Sequence, residues 1–361
     1  LIYDSDFIET GKSISYTLYI WLRYVEDPTI NLASLLGTSV NAYVSVNGTD
    51  TKESTSCTFD SSKKISYVVT FMNTDNKTVL ETRKVSSGTA LGNLPSTRQY
   101  FTKTGGNGTE YTSTSTITDD ALVYPKLTKF ELDSWTTIAT NVRNGNTGDY
   151  NVGDTKEVNL GTTYGTHTLR IANTTTPSEC STSGFSQTAC GFVLEFADII
   201  TTYEMNDTDT NVGGWPASSM YDFVNYDIYN SLPSDLKSTI IDTTVVSSHG
   251  STNGENFTSI DKLYLLSLKE VYSDWSTNSY SSYDSAKDLT RTLDYYINKN
   301  VTSSDDSETI KKYKTTDSWW WLREAHSNYD HSFFIVPTDD YSYLSAYANT
   351  SGGVSPAFRI G

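Results

Sequence analysis

The chain has 361 residues, more than one compact core usually contains, so we expect two or three folding units. Its 43 acidic and 26 basic residues give a net charge of −17, which argues against a basic patch that binds nucleic acid or an anionic membrane. Thr and Ser are the most abundant residues and there are 26 Tyr, and such a composition favours strands with half-solvated surfaces.

The start of the chain has no charged-then-apolar segment of the kind that directs secretion. Its first residues already alternate as strands do, so we expect the chain to begin inside a longer precursor. No apolar run approaches the roughly 18 residues that a membrane helix needs. We therefore expect no direct membrane insertion within this chain.

Residues 1–62 contain two runs, "SISYTLYIWL" and "SVNAYVSVNG", in which apolar and polar residues alternate. This alternation, with Asn-Gly at its end, predicts strands and a turn. The run "YTLYIWL" resembles a strand in the C-terminal half of the β-sandwich domains of Gram-positive surface-fibre proteins, the TasA/camelysin type. The resemblance implies a partial β-sandwich segment that lacks its first strands.

Residues 63–127 form the second predicted unit. The run "ISYVVTFMNTDNKTVLETRKVSSGTAL" predicts two strands joined by a polar turn at residues 73–76, and "GTEYTSTSTITDDALVYPKL" closes the unit. In this order the segments resemble the small β-grasp-like repeat of bacterial surface proteins, the internalin B-repeat type. The resemblance implies a stalk or spacer module rather than a site of chemistry.

The character of the sequence changes after residue 127. "SWTTIATNVRNG" predicts a short helix with Ile138 and Val142 on one side, and "TKEVNLG" and "THTLRIAN" predict paired strands. "GFVLEFADII" and "DKLYLLSLKEV" are nearly continuous apolar runs, which predict fully buried strands. Two helices are expected between them, because Pro216 and Pro233 each suit a first helical turn. Their apolar faces would comprise Met220, Phe223 and Val224 in the first helix, and Leu236, Ile240 and Ile241 in the second.

The stretch from Tyr329 to Asn349 divides by parity. Its even positions are mostly small or apolar, and its odd positions are larger, chemically mixed and rich in Tyr. Because side chains on a strand alternate between its faces, we expect the even set to be structural and the odd set to be displayed. A turn at residues 337–340 interrupts the strict alternation. The odd set comprises Tyr329, His331, Phe333, Ile335, Pro337, Asp339, Tyr341, Tyr343, Ser345, Tyr347 and Asn349.

A displayed face of Tyr with Ser, Asn, Asp and His has the composition of a paratope. Tyr supplies large, rigid contact area at low entropic cost, while small polar residues adapt their hydrogen bonds. An exposed aromatic cluster usually marks an interaction site. The alternative is an ordinary edge of a Tyr-rich protein, in which the rings pack on one another.

Four segments in the last part of the chain resemble the ending of a large bacterial domain family of uncharacterised role. In order, they are "GGWPASSMYDFVN", "DKLYLLS", "WWWLREA" and "GGVSPAFRIG". The ending is also similar to the C-type-lectin-fold variable proteins of diversity-generating retroelements, over residues 128–361. That resemblance implies a constant scaffold whose ligand-contacting positions are rewritten by adenine-directed mutagenesis. Two residues depart from the pattern: Glu324, where a small residue is usual, and Asp340, where Gly is common.

The resemblance also implies roles for individual residues. The odd set would be the binding surface, with His326 and Asn328 joining it at the rim. Arg323 and Arg359 would anchor the core by hydrogen bonds rather than contact a ligand. The scaffold strand would comprise Trp319, Trp320, Trp321, Leu322 and Arg323. The terminal strand beside it would comprise Val354, Ser355, Pro356, Ala357, Phe358, Arg359 and Ile360.

The cysteines give evidence on the cellular compartment and on one possible class of enzyme chemistry. Cys180 and Cys190 flank the polar segment "STSGFSQTA", and a disulfide there would close a short loop in an oxidising compartment. Two free thiols are the alternative, and Cys57 has no evident partner. The C-type-lectin fold also hosts formylglycine-generating oxidases, which depend on cysteines in their C-terminal part. No cysteine follows Cys190, which argues against that chemistry.

We expect neither a metal site nor a cofactor. The four histidines do not have the spacing of a metalloprotease. The segment "NDTDTN" at residues 206–211 has oxygen-bearing side chains at alternate positions, as calcium loops do, but it lacks their acidic clamp. A solvated loop is therefore the favoured interpretation of this segment.

The predicted architecture is multidomain: a β-sandwich segment (1–62), a β-grasp-like module (63–127) and an α+β C-type-lectin-like domain (128–361). We expect an extracellular protein of the bacterial cell surface, of the Gram-positive type, that binds a ligand without catalysis. Its partner would be a protein or glycan on another cell, host or phage surface. An enzyme on the formylglycine-generating fold and a structural surface-fibre subunit are the two alternatives.

Overall fold

The structure, a computed structural model, describes residues 66–305, 307–338 and 344–361. The prediction for residues 1–62 lies outside this range. The described chain is a mixed, sheet-rich structure with several sheets and short helices. It has two separate apolar cores, a small one within residues 66–125 and a large one in the remainder. No helix within these described ranges combines the length and the apolar character required to span a bilayer.

The small core belongs to a five-stranded sheet. Its strands run in the spatial order β2-β1-β5-β3-β4, with β1 and β5 parallel and the other neighbours antiparallel. Phe71 and Tyr100 meet edge to face inside it, with ring centroids 5.0 Å apart. The strands are β1 (Ser66–Met72), β2 (Val79–Ser86), β3 (Tyr100–Lys103), β4 (Asn107–Tyr111) and β5 (Ala121–Pro125).

The predicted hairpin at the start of this sheet is present. β1 and β2 pair antiparallel across a turn in which one carboxylate oxygen of Asp75 accepts from the backbone N–H groups of Lys77 and Thr78, each at 2.8 Å. Asn76 has a positive φ of 55°, a conformation that Asn tolerates better than most residues. The polar residues of the turn are therefore needed for its geometry.

A capped helix connects the two cores. The Thr128 side chain accepts from the backbone of Glu131, and Glu131 in return accepts from the backbone of Thr128, which forms a capping box. The same Glu131 carboxylate binds the Arg98 guanidinium through two contacts of 3.0 and 2.7 Å. One acidic residue thus starts the helix and ties it to the small sheet.

The large core is enclosed by short helices and four further sheets. The first long helix, α2, begins after Ser134, whose side chain accepts from the backbone of Thr137, and it buries Ile138 as predicted. The helices are α1 (Lys129–Leu132), α2 (Trp135–Arg143), α3 (Gly161–Tyr164), α4 (Ser219–Asp222), α5 (Tyr229–Ser231), α6 (Ser234–Lys237), α7 (Leu268–Val271) and α8 (Asp294–Asn298). A π-helical turn, Phe223–Ile228, joins α4 to α5.

Two larger sheets and two hairpins contribute the strands. The four-stranded sheet has the order β18-β8-β7-β6, and the five-stranded sheet has the order β16-β15-β14-β17-β9. The hairpins are β10-β11 and β12-β13. The strands are β6 (Thr155–Asn159), β7 (Thr166–Asn173), β8 (Val193–Phe196), β9 (Thr201–Tyr203), β10 (Thr243–Ser247), β11 (Phe257–Asp261), β12 (Lys311–Tyr313), β13 (Thr316–Ser318), β14 (Trp320–Ala325), β15 (Ser332–Val336), β16 (Ser345–Tyr347), β17 (Gly352–Val354) and β18 (Ala357–Arg359).

The prediction of one buried strand over residues 261–271 is wrong. The segment is buried, but β11 ends at Asp261, and the following residues have one isolated bridge, from Tyr264 to Ala357. Ser267 and Glu270 then form a capping box that begins α7. The second predicted helix is likewise shorter than expected, because α6 ends at Lys237 and Ile240 bridges to Ile360 instead.

The terminal segment divides between the two large sheets. β17 pairs with β14 in parallel, but β18 leaves that sheet and pairs with β8, with Ser355 and Pro356 between them. The prediction of a single terminal strand beside the Trp-rich strand is therefore correct for residue 354 and wrong for residues 357–359. Because Pro lacks a backbone N–H, Pro356 suits the break between two strands.

Gly352 permits the close approach of β17 to the Trp-rich segment. A Cβ atom at this position would lie 2.1 Å from the Trp319 ring and 2.7 Å from Nε1 of Trp321. The Trp321 indole N–H donates to the carbonyl of Tyr203 on β9, at 2.9 Å. A side chain at residue 352 would displace rings that connect three strands.

Candidate functional site

The predicted display of alternate residues does not hold on β15. Phe333, Phe334, Ile335 and Val336 are all at most 1% exposed, and Pro337 is buried as well. β15 lies between β14 and β16, and its side chains join the large core from both parities. Phe333, Ile335 and Pro337 are therefore not displayed, contrary to the prediction, because an interior strand covered on both faces has no solvent side.

The loop and strand ends around β15 do expose other members of the predicted set. Tyr329 and Tyr347 are 45% and 58% exposed, and His331 is half-buried. His326 was expected at the rim but is buried, with its ring covered by neighbouring rings. Also exposed or half-buried are Asn328, Ser345 and Asn349. Asp339, Tyr341 and Tyr343 lie outside the described residues.

Six rings form a continuous aromatic row at this surface. The row comprises Tyr280, Tyr283, His326, Tyr329, His331 and Tyr347. The centroid distances between successive rings are 6.5, 4.8, 4.5, 5.4 and 5.0 Å. From Tyr283 onward the interplanar angles lie between 23° and 39°, so these rings are stacked or moderately tilted.

Two members of the aromatic row come from a distant part of the sequence. Tyr280 and Tyr283 lie in a 3₁₀ turn, Ser279–Tyr283, that begins after Asn278. The Asn278 side chain accepts from the backbone of Tyr280 at 2.8 Å, and the Tyr283 carbonyl accepts from the backbone of Ser327 at 3.0 Å. Sequence analysis missed both tyrosines, and the repeated Tyr and Ser of this turn was the signal that could have indicated them.

Core side chains support the aromatic row from below. Phe334 of β15 stacks on His326, with centroids 5.0 Å apart, and meets Trp275 edge to face at 5.9 Å. The Trp275 indole N–H donates to the buried carboxylate of Asp284 at 2.8 Å. Burial lowers the pKa of His326 to about 4, so this ring is neutral at physiological pH.

The amide of Asn211 holds the loop that carries the centre of the row. Its nitrogen lies 2.9 Å from the carbonyl oxygens of Tyr329 and Ser332 and 3.3 Å from that of His326. Its backbone N–H donates to the carbonyl of Asp330 at 2.8 Å. Gly250 packs so closely that a Cβ there would lie 2.1 Å from the Asn211 amide oxygen. Hydrogen bonds within the protein thus fix the shape of this loop.

The segment at residues 206–211, which was considered as a calcium loop, forms hydrogen bonds within the protein. Asn206 donates to the carbonyl of Thr210 at 2.6 Å and accepts from the backbone of Ser219 at 3.0 Å. The side chains of Asn206 and Asn211 therefore both form hydrogen bonds within the protein. Asn211 binds the main-chain oxygens of the loop at residues 326–332. Within the described ranges, no group of three His, Cys, Asp or Glu side chains is arranged to hold a metal ion.

A fully buried ion pair anchors the Trp-rich strand β14. Arg323 donates to both oxygens of Glu270, at 2.7 and 2.6 Å, and to the carbonyl of Leu265 at 2.9 Å. Burial alone would raise the pKa of Glu270, but the Arg323 charge and the hydrogen bonds from Thr188 and Thr290 lower it. Arg323 has the anchoring role that was predicted for it.

Arg359 does not share this role. Its backbone pairs with β8, but its Nε is buried and has no hydrogen-bond partner among the described residues. Burial lowers the pKa of its guanidinium. The predicted anchoring by hydrogen bonds is therefore not found at Nε of this side chain, whose Nη2 lies beside Gly191. The remaining scaffold residues are placed as follows: Trp320, Trp321, Leu322, Pro356 and Phe358 are buried, and Trp319 is half-buried.

Glu324 is a buried carboxyl group. Its Oε2 accepts from the backbone of Ser248 at 2.5 Å, and its Oε1 lies 3.2 Å from Nε of Arg323. Burial raises its pKa to about 8, and the nearby Asp284 carboxylate adds to the rise while Arg323 opposes it. Burial also raises the pKa of Asp284, which accepts from the Ser248 hydroxyl at 2.5 Å. The two carboxyl groups thus share one serine beneath the aromatic row.

A disulfide bond joins Cys180 and Cys190, the pair that the sequence indicated. The loop that it closes is further held by Gln187, whose side chain donates to the carbonyl of Cys180 at 2.9 Å. Neither sulfur is therefore a free nucleophile in this structure.

Residues 192–361 match the model of a family described as a domain of unknown function, DUF6273. This segment contains the whole aromatic row, Asn211 and the Arg323–Glu270 pair. No curated protein and no solved structure matches the chain.

Proposed function

We propose that residues 128–361 are a ligand-binding domain without catalytic activity and that the aromatic row is its contact surface. The observation that carries this proposal is that exposed tyrosine side chains lie above a strand that is itself buried. Tyr280, Tyr329 and Tyr347 are about half exposed, while the strand beneath them is completely buried. Large exposed aromatic side chains that are grouped together mark interaction sites.

The composition of the surface supports a binding role. Tyrosine is enriched among residues that dominate binding energy, and it loses little conformational entropy when it is immobilised. The exposed amides of Asn328 and Asn349 border the aromatic row and can form adaptable hydrogen bonds. A surface already fixed by Asn211 has little ordering cost left to incur on binding.

The groups with raised pKa values support the non-catalytic part of the proposal. Glu324 and Asp284 are each 1% exposed and hydrogen-bonded within the protein, and Asp261 is buried against Trp215. A general acid or base must reach the proton that it transfers. These carboxyl groups have no such access, so their shifts arise from burial in a scaffold.

We extend the proposal to the origin and location of the surface. The protein would be exposed on a bacterial cell surface, as an adhesin or receptor with a C-type-lectin-like domain. The mixed sheets and the buried Trp-rich strand support that fold. The exposed positions would be the ones that a diversity-generating retroelement rewrites. They comprise Asn328, Tyr329, His331, Ser345, Tyr347 and Asn349.

Binding can be tested with two probe collections, a glycan array and a phage-displayed library of random peptides. We expect probes retained by the full chain to lose binding to a Tyr329→Ala/Tyr347→Ala variant. Tyr226→Ala is the matched control, because Tyr226 is 70% exposed but lies outside the row. The absence of any retained probe, or equal binding by the double variant, would refute the contact surface. A near-identical template copy beside the gene, differing mainly at adenines, would test the diversification.

A further inference from the structure

We propose that a cleft beside the disulfide loop (residues 180–190) binds a small organic carboxylate that has an apolar body. The cleft has a volume of about 410 Å³, which lies within the range of small-molecule sites. It is lined by Phe185 of the disulfide loop, Lys269 of α7 and side chains of residues 287–297. Among the described residues that line it, none belongs to the aromatic row, so this site goes beyond the proposed contact surface.

Hydrogen bonds within the protein hold the walls of the cleft together. The Thr292 hydroxyl donates to the carbonyl of Lys269 at 2.9 Å. The backbone N–H of Ser186, next to Phe185, donates to the carbonyl of Leu289 at 2.7 Å. The three parts of the chain that line the cleft are thus tied to one another, which lowers the ordering cost of binding a ligand between them.

Two of the three cationic side chains that line the cleft are already paired. Arg291 lies between two carboxylates, with its Nε 3.5 Å from Glu179 and its Nη2 3.1 Å from Asp294. The Lys287 ammonium lies 3.1 Å from the carboxylate of its neighbour Asp288. Glu179 and Asp288, the two acidic residues in the lining, are therefore both engaged by these pairs.

Lys269 is the cation that these pairs leave over. Its ammonium nitrogen lies 3.3 Å from the carbonyl oxygen of Ser273, and no carboxylate in the described part of the chain forms an ion pair with it. The side chain is half-buried, and burial lowers the pKa of its ammonium group although the charges of Asp288 and Asp274 oppose this effect. A carboxylate bound in the cleft would give this partly desolvated charge a hydrogen-bonded counterion.

The apolar part of the lining selects the body of the ligand. Phe185 is half-buried and Ile297 is 44% exposed, so both side chains leave apolar surface that a ligand can cover. One available ammonium matches one negative charge, whereas a phosphate dianion would need more free donors than this lining supplies. An aromatic or branched aliphatic carboxylate meets both requirements.

Titration of the full chain by ligand-detected NMR tests the site with phenylacetate and its neutral analogue phenylacetamide. We expect phenylacetate to bind saturably at millimolar concentration and about tenfold more tightly than the amide, because the carboxylate alone pairs with the ammonium. Lys269→Met keeps an unbranched side chain and removes the charge, so phenylacetate should bind this variant about tenfold more weakly. Ile297→Ala should weaken both probes about threefold, because it removes apolar contact area.

Lys312→Met is the matched control, because Lys312 is 59% exposed, pairs with Asp317 and lies outside the cleft, and its loss changes the net charge equally. This variant should bind phenylacetate as the unmodified chain does. Equal weakening by the two lysine substitutions would indicate general charge attraction and overturn the site.

Three further results would also overturn the proposed carboxylate site. They are the absence of saturable phenylacetate binding, equal affinity for the acid and the amide, and inorganic phosphate that binds as tightly as phenylacetate. The first two comparisons use the unmodified chain, so they decide the question even where Lys269→Met fails to fold. None of these results depends on the aromatic row, whose binding function stands or falls separately.

Discussion

Arg323 and Glu270 form a two-point ion pair that is 0% exposed on both sides, with N–O distances of 2.7 and 2.6 Å. The pair joins the Trp-rich strand β14 to the first turn of α7. Arg323 also donates to the carbonyls of Val246 and Leu265, so one side chain fixes three segments. Removing one partner from such a pair is strongly destabilising, because it leaves a buried charge without compensation.

Arg323→Lys should lower the free energy of unfolding by about 3 kcal/mol. Lysine keeps the charge but lacks the planar fork that satisfies Glu270 and the two carbonyls together. Urea denaturation followed by tryptophan fluorescence measures the change. The matched control is Arg98→Lys, since Arg98 makes the same two-point contact with Glu131 but is partly solvated. The control should cost less than about 1 kcal/mol, and equal costs would contradict the role of burial.

Glu324 should make stability decrease as pH rises. Its pKa is raised by burial from the ordinary value of 4.5 to about 8, so the folded state retains a proton that the unfolded state releases. The stabilisation is complete below about pH 4.5 and is lost as the pH rises through 8, on the order of 5 kcal/mol in total.

Glu324→Gln tests this dependence because it cannot titrate. Other raised groups, including Asp284, contribute in the same direction and are present in both proteins. The informative quantity is therefore the difference in unfolding free energy between unmodified chain and variant, measured by denaturant titration from pH 5 to 9. We expect the variant to gain relative stability as pH increases, whereas parallel curves would show that Glu324 is ionised in the folded state.

Gly352→Ala should destabilise the protein by about 2 kcal/mol or more. The added methyl group would overlap the Trp319 ring, and overpacking of a filled core forces side chains and backbone to shift. Thermal unfolding and the tryptophan emission maximum should both change. Gly148→Ala is the control, because nothing lies within 4 Å of its Cβ position and its φ is ordinary. Similar effects at both positions would point to backbone entropy rather than to contact with Trp319.

Two aromatic residues that lie four positions apart in the sequence can test which positions belong to the core and which to the exposed surface. Phe333→Ala should cost about 3–5 kcal/mol, because Phe333 is 0% exposed within the large core. Tyr329→Ala should cost less than about 1 kcal/mol, since Tyr329 is already 45% exposed. Chemical denaturation of both variants provides the comparison. A larger loss for Tyr329 would mean that the aromatic row is part of the core.

Local sequence patterns predicted the elements that depend on local causes. The turn around Asp75, the helix α2 with its buried Ile138, and the pairing of Cys180 with Cys190 all involve residues close in sequence. The prediction that odd-numbered residues are displayed failed at β15 because it assumes that one face of the strand is exposed to solvent. The unbroken apolar run at residues 333–336 already indicated that both faces of this strand are buried. Tyr283 was missed because its contact with His326 joins segments 43 residues apart, which no periodicity reports.

The Asn211 side chain holds the loop at residues 326–332 by hydrogen bonds to main-chain carbonyl oxygens. These oxygens belong to Tyr329, Ser332 and His326. Every amino acid supplies such an oxygen, so the path of the loop is indifferent to which side chains it carries. Residues 328, 329 and 331 can accordingly be randomised as a set while the framework keeps its shape. The domain is thereby a ready scaffold for building recognition libraries, provided that Asn211 and Gly250 are left untouched.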